Sequence, residues 1–190
     1  MDRPMRRRLQ PEARKREIIE AAERLMQAHG PQVRVEDVVR EAGVAKGTFF
    51  LYFPTLDDLL TAIRQRLVAE FDASYPLPTE ADGPIDWPGL IDQQAAAFID
   101  FASARQNIGQ AVFHSDFAAR RPLADHAVVR LTAIIRAGQE AGAFGPLDPE
   151  PTARVVYGAI DEAARAVAGG APRAAIVSAL QSLLRRTLAP

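Results

Sequence analysis

Between Val33 and Phe53 two short apolar runs at helical spacing are separated by a single glycine, and no other stretch limits the fold as strongly. Val35, Val38, Val39 and Ala42 share one helical face and stop at Gly43; an aromatic-containing run begins after Val44. Two helices of about two turns each, joined by a tight glycine turn, form the unit that carries a recognition helix into the DNA major groove. Gly43 suits that turn because it takes a positive φ at little steric cost.

The remaining chain is helical in pattern from end to end, with no alternating strand signal and no internal repeat. Met1 to Gln10 is Arg-rich and aperiodic and reads as a flexible basic arm. Pro11 opens a first helix to about His29, ended by Gly30-Pro31. The second runs from about Val35 to Ala42 and the third from about Lys46 to Phe53. Thr55 is the N-cap of a fourth, with Asp57 and Asp58 in its first turn and its end near Ser74. Tyr75 to Pro88 holds four prolines and reads as a loop between head and body. Five more helices are expected: Pro88 to about Ala104, Gln106 to about Arg120, Pro122 to near Gly142, Asp148 to Gly169, and Pro172 to near Leu188. The expected class is all-α with about nine helices. It divides into an arm (1–10), a helix-turn-helix DNA-binding domain (11–54), a connecting helix (55–74) and an effector-binding and dimerisation domain (75–190).

Charge supports a division of labour. Residues 1–53 hold 11 Lys/Arg against 8 Asp/Glu, whereas 54–190 hold 12 against 16. A basic end on an acidic body suits a protein that meets phosphates at one end only, where counterions are released. A hydrophobic content of 48% fills a core. Without a signal-like segment or a long apolar run, the expected location is the cytoplasm and no membrane partner is expected. The chain has no cysteine, which excludes disulfides and thiolate zinc sites.

Lys46, Thr48 and Tyr52 place an ammonium, a hydroxyl and a phenol along the third helix, all donors to phosphate oxygens or base edges. Gly47 lets the backbone approach a duplex closely. The run from Arg40 to Leu60, REAGVAKGTFFLYFPTLDDLL, resembles the signature of the TetR family of bacterial repressors in order and spacing. The resemblance covers about residues 12 to 72. It implies that Lys46 and Tyr52 contact phosphates, that Thr48 reaches phosphate or base, and that Ala45 and Gly47 lie against the groove. Phe50, Leu51 and Leu56 depart from the Tyr, His and Lys common in the family, and Arg34 replaces a Thr N-cap. More of the binding is therefore expected from Arg34, Arg14 and the arm, with Phe50 placed to touch a thymine methyl.

The resemblance further implies a homodimer on a double-stranded DNA operator and a small-molecule effector held in the body. Tyr157, Ile160, Ala164 and Val167 on the eighth helix, and Ile176, Leu180, Leu183, Leu184 and Leu188 on the ninth, are the expected dimer stripes. Phe98, Phe101, Val112, Phe113, His114, Phe117, Ile134 and Tyr157 are the candidate effector lining, with Asn107 and Gln110 as further polar groups. They suit an uncharged apolar or aromatic ligand.

The alternatives are weaker. His29, His114 and His126 show no metal-ligand spacing, and His114-Ser115-Asp116 lacks the partners of a triad, so neither an enzyme nor a metal or cofactor site is expected. A helical small-molecule-binding or interaction protein without specific DNA binding is the second reading, motivated by Phe50, Leu51 and Leu56.

Overall fold

The computed structural model describes residues 11–79, 83–113 and 126–190. Among them the chain forms nine helices and no strand: α1 (Pro11–His29), α2 (Val35–Ala42), α3 (Lys46–Tyr52), α4 (Leu56–Ser74), α5 (Trp87–Ala104), α6 (Gln106–Phe113), α7 (His126–Glu140), α8 (Pro149–Ala168) and α9 (Arg173–Leu188). The all-α class read from the sequence is the class observed. The arm, the expected extension of α6 to Arg120 and the expected start of α7 at Pro122 lie outside the described residues.

Local chemistry explains the helix ends. Thr55 caps α4 reciprocally: its Oγ1 accepts from the Asp58 N–H at 3.1 Å, and the Asp58 carboxylate accepts from the Thr55 N–H at 3.0 Å. Asp86 caps α5 by accepting from the Gly89 N–H at 3.0 Å, and the helix starts at Trp87, one residue earlier than the Pro88 start expected from sequence. Asp148 occupies the N-cap position of α8, but its side chain makes no capping bond; Pro149 behind it supplies the helical φ. Helix α3 stops at Tyr52, with Phe53 as its C-cap rather than its last residue.

By packing, the chain divides into two compact units. The first comprises the described residues of 1–66 and 107–117, and the second those of 67–106 and 118–190. In the first, α1 buries Ile18, Ala21, Ala22 and Met26 completely, α2 buries Val38, and α4 buries Leu59 and Ile63. Helix α6 belongs to this unit, with Val112 buried, the Asn107 amide donating to the Gln27 carbonyl at 3.3 Å, and the Arg64 guanidinium over the Phe113 ring at 4.9 Å. In the second, α8 lies against α5, α7 and α9.

That position of α8 corrects the expected dimer stripes. Ile160 and Ala164 of α8, and Leu180, Leu184 and Leu188 of α9, are buried in the unit's own core with Leu90, Ile91, Ile99, Leu131, Ile134 and Ile135. Helices this apolar fill the protomer first, because each buried aliphatic side chain gains about 1.5–3 kcal/mol there. Of the expected stripe residues Leu183 stays 53% exposed, and Val155 of α8, which was not among them, 74%.

One close approach in this core is tight enough to test. A Cβ built on Gly138 of α7 would lie 2.2 Å from a ring carbon of Phe144, itself 6% exposed. Gly138→Ala therefore overpacks the second unit at a cost of about 1–3 kcal/mol, which lowers the thermal midpoint by several degrees. A calorimetric scan checks this; a midpoint equal to wild type would mean that Phe144 has an alternative seat.

Candidate nucleic-acid interface

The turn between α2 and α3 fixes the geometry of the site. Gly43 sits at φ 62°, ψ 36°, in the left-handed region. Its N–H donates to the Arg40 carbonyl at 3.2 Å, and the Val44 N–H donates to the Val39 carbonyl at 3.0 Å. These two bonds satisfy the last carbonyls of α2 in the Schellman arrangement, which turns the chain sharply out of the helix. Ala45, extended at φ −75° and ψ 150°, then starts α3, its carbonyl accepting from the Thr48 and Phe49 N–H groups.

Helix α3 is anchored from one side. Phe49 is wholly buried and Phe53 nearly so, their ring centroids 5.9 Å apart, and Val38 of α2 is buried too. Ala45, Lys46, Gly47, Phe50 and Leu51 are exposed, while Thr48 and Tyr52 are half-buried at the margin. Nothing lies within 4 Å of where a Cβ on Gly47 would stand, so the backbone there is open to an approaching surface. The face carries one cation, and Leu51 is 78% exposed.

Lys46 is engaged before any DNA arrives. Its Nζ donates to the Glu36 carboxylate of α2 at 2.6 Å, with both side chains more than half exposed. The hydrogen bond from Lys46 holds the Glu36 carboxyl below the usual carboxylate range. Spacing in the sequence gives no hint of this pair, because the two residues are ten apart on different helices. Arg34 is exposed; its backbone precedes α2 in an extended conformation and its side chain caps nothing. Arg14 is different: its side chain is only 18% exposed and pairs with Glu17 at 2.6 Å along α1, so it meets phosphate only by leaving that partner. Arg40 pairs with Asp37, and Arg24 with Glu41 at 2.9 Å, which neutralises other cations of the head.

The candidate effector residues fall in both units. Phe98 and Tyr157 meet edge to face at 5.8 Å, Phe71 of α4 meets Phe98 at 5.7 Å and Phe101 at 5.4 Å, and Ile134 is buried in the same unit. Val112 and Phe113 belong to the first unit, and His114 and Phe117 lie outside the described residues. Sequence reading missed a polar group beside the aromatic cluster. Arg130 of α7 donates to Asp72 at 2.9 Å, to the Gln94 amide oxygen at 3.0 Å and to the Tyr75 carbonyl, and lies over the Phe71 ring. Burial lowers the Arg130 pKa, with Asp72 opposing the shift.

Residues 18–63 match the model of "Bacterial regulatory proteins, tetR family", and residues 90–189 match "Tetracyclin repressor-like, C-terminal domain". A regulator assigned to the tetR family from Shewanella sp. PV-4 is 25% identical, with a TM-score of 0.75 over 93% of this chain and 98% of that one. The fatty acid degradation regulator FadR from Bacillus halodurans is 22% identical, TM-score 0.74, over 94% and 96%. FadR from Bacillus subtilis, solved in complex with stearoyl-CoA, is 20% identical, TM-score 0.72, over 89% and 96%. No curated protein sequence matches the chain. No described helix is long and apolar enough to cross a membrane.

The Lys46–Glu36 pair predicts opposite effects for its two partners. Lys46→Ala weakens cognate and unrelated DNA about equally and makes the log–log salt slope shallower by roughly one unit. Glu36→Gln releases the ammonium and strengthens both, by on the order of two- to five-fold. Fluorescence anisotropy across a salt series reads both. An unchanged slope in folded Lys46→Ala removes the phosphate role, and unchanged affinity in Glu36→Gln removes the competition.

Proposed function

The chain belongs to the TetR family of bacterial regulatory proteins, and we propose that it is a cytoplasmic repressor that occludes a palindromic operator as a homodimer and is released by a small molecule. The observation that carries the reading is the partition of α3. Phe49 and Phe53 lock it into the head, while Lys46, Gly47, Phe50 and Leu51 are left facing outward. A helix held this rigidly with one open face is what insertion into a major groove requires. In this reading residues 11–54 bind DNA, 55–74 connect, and 75–190 take the effector and dimerise. Lys46 and Tyr52 contact phosphate, Thr48 phosphate or base, Arg34 and Arg14 phosphate, and Ala45, Gly47 and Phe50 lie against the groove.

The dimer forms through α8 and α9, by the faces their own core leaves open. Val155, Gly158 and Glu162 on α8, and Ala175, Ala179 and Leu183 on α9, are exposed along those faces. Small residues beside two large apolar ones suit close helix packing between two-fold-related copies. A two-fold pair also presents two copies of α3 to half-sites about 34 Å apart or a multiple of this.

The effector is an apolar or aromatic molecule that competes for the contacts among Phe71, Phe98, Phe101, Ile134 and Tyr157. Phe71 stands on α4, so a ligand that replaces its ring contacts acts on the helix that leads back to the head. Its leverage is limited to its differential affinity for the operator-fitting and non-fitting arrangements. Selecting operator sequences from random DNA with the purified chain, then screening compounds for release of the selected site, tests the whole reading. Failure to enrich any sequence rejects the repressor; equal operator affinity with and without a compound bound to the body rejects the release step.

The dimer assignment makes its own prediction. Val155→Asp or Leu183→Asp places a charge on an exposed position, leaves the helical spectrum intact, and shifts the chain to monomer in sedimentation experiments. Operator affinity falls with it, because each half-site is then bound alone. A dimer that survives both substitutions moves the interface elsewhere.

A further inference from the structure

Helix α3 carries an apolar group that its own fold does not use. Leu51 is 78% exposed, more than the other exposed large apolar side chains Phe50, Val129, Val155 and Leu183. It stands four residues, about one helical turn, beyond Gly47. Lys46 and Phe50 share the same spacing on the adjacent row. The outward face of α3 is thus a bare backbone at Gly47, a leucine above it, and a phenyl ring 43% exposed beside it, next to an ammonium suited to phosphate.

Neither Leu51 nor Phe50 has a hydrogen-bond donor or acceptor, so neither reads the donor–acceptor pattern of base edges. In the major groove the four bases offer one large apolar feature, the C5-methyl of thymine. An isobutyl group placed where Gly47 lets the backbone come close contacts that methyl and gains by removing both from water. Against a guanine or cytosine edge it would instead cover polar groups and leave them unpaired. We propose that Leu51 is a specificity-determining residue that reads a thymine methyl in each operator half-site. This rests on the DNA-binding reading of α3 and goes beyond it by naming the base and the atom read. The occupant is DNA rather than a protein because the patch is continuous with Lys46 and lies on the outward helix of a helix-turn-helix head.

The test uses the full-length chain and an operator enriched from random DNA. Each thymine is replaced in turn by deoxyuridine, which lacks the methyl and keeps every hydrogen bond. Wild type loses roughly four-fold in affinity at one thymine per half-site, and about fifteen-fold when both are replaced. Leu51→Ala weakens binding to the thymine operator by a similar factor and becomes indifferent to deoxyuridine at that position. Its salt slope stays unchanged, since no phosphate contact is lost. Leu51→Met, which keeps an apolar tip of similar reach, keeps the deoxyuridine sensitivity at that position and serves as the control for general damage to the face.

Three results overturn the assignment while leaving operator binding in place: no thymine whose methyl matters to wild type, a deoxyuridine effect undiminished in Leu51→Ala, or operator affinity untouched by Leu51→Ala. If no operator is enriched, the repressor reading falls and this assignment falls with it.

Discussion

The left-handed conformation of Gly43 is the constraint on which the DNA-facing half of the molecule depends. At φ 62° the chain leaves α2 through two backbone bonds and re-enters a helix three residues later, at Lys46. The direction of α3 is set by that turn, and its rotation is set by Phe49, which has one place to bury. Turn and anchor together decide which α3 side chains face outward. A residue with a Cβ at position 43 would be strained, and the strain would be relieved by rotating the surface that meets DNA. The same logic makes Lys46 dual in role. Fixed at the start of α3, it faces both solvent and Glu36, so binding a phosphate means exchanging one anion for another.

The helices were legible in the sequence because their ends are punctuated chemically. Pro11, Gly43, Thr55 with Asp58, Pro149 and Gly169 all act within a few residues of where they stand, so local order suffices to place them. What a helix faces is not local. The amphipathic stripe of α8 and α9 has the right period for either a protomer core or a dimer, and only the presence of α5 and α7 on that side assigns Ile160 and Leu184 to the core. The Lys46–Glu36 and Arg130–Asp72 pairs, and the pairing of buried Asp92 with Arg185 at 2.6 Å, join residues far apart in sequence. Neither period nor spacing encodes them. On α3 the sequence therefore named most of the outward side chains but not the carboxylate that restrains one of them.

The polar cluster at Arg130 shows how the body holds the second half of α4. One guanidinium serves Asp72 and the Tyr75 carbonyl on and after α4, and Gln94 on α5, with the Phe71 ring beneath it. Its pKa is pushed down by burial, and it remains charged at any physiological pH because an arginine starts so high. A permanent charge with three acceptors is costly to uncover, since removing one partner leaves the others poorly solvated. The end of α4 is therefore firmly held, and contacts of comparable strength are needed to move it.

That requirement bears on how an effector acts. Helix α4 contains neither proline nor glycine between Leu56 and Ser74, so it has no built-in point of bending. Under the proposed release, a ligand that merely fills space beside Phe98 and Tyr157 and leaves the Arg130 contacts intact would bind any two arrangements of α4 equally. Such a ligand occupies the body and releases nothing. In the release mechanism proposed above, the molecule must take over the ring contacts of Phe71 in one arrangement only, so what would mark an effector is its competition for that ring rather than its affinity for the body.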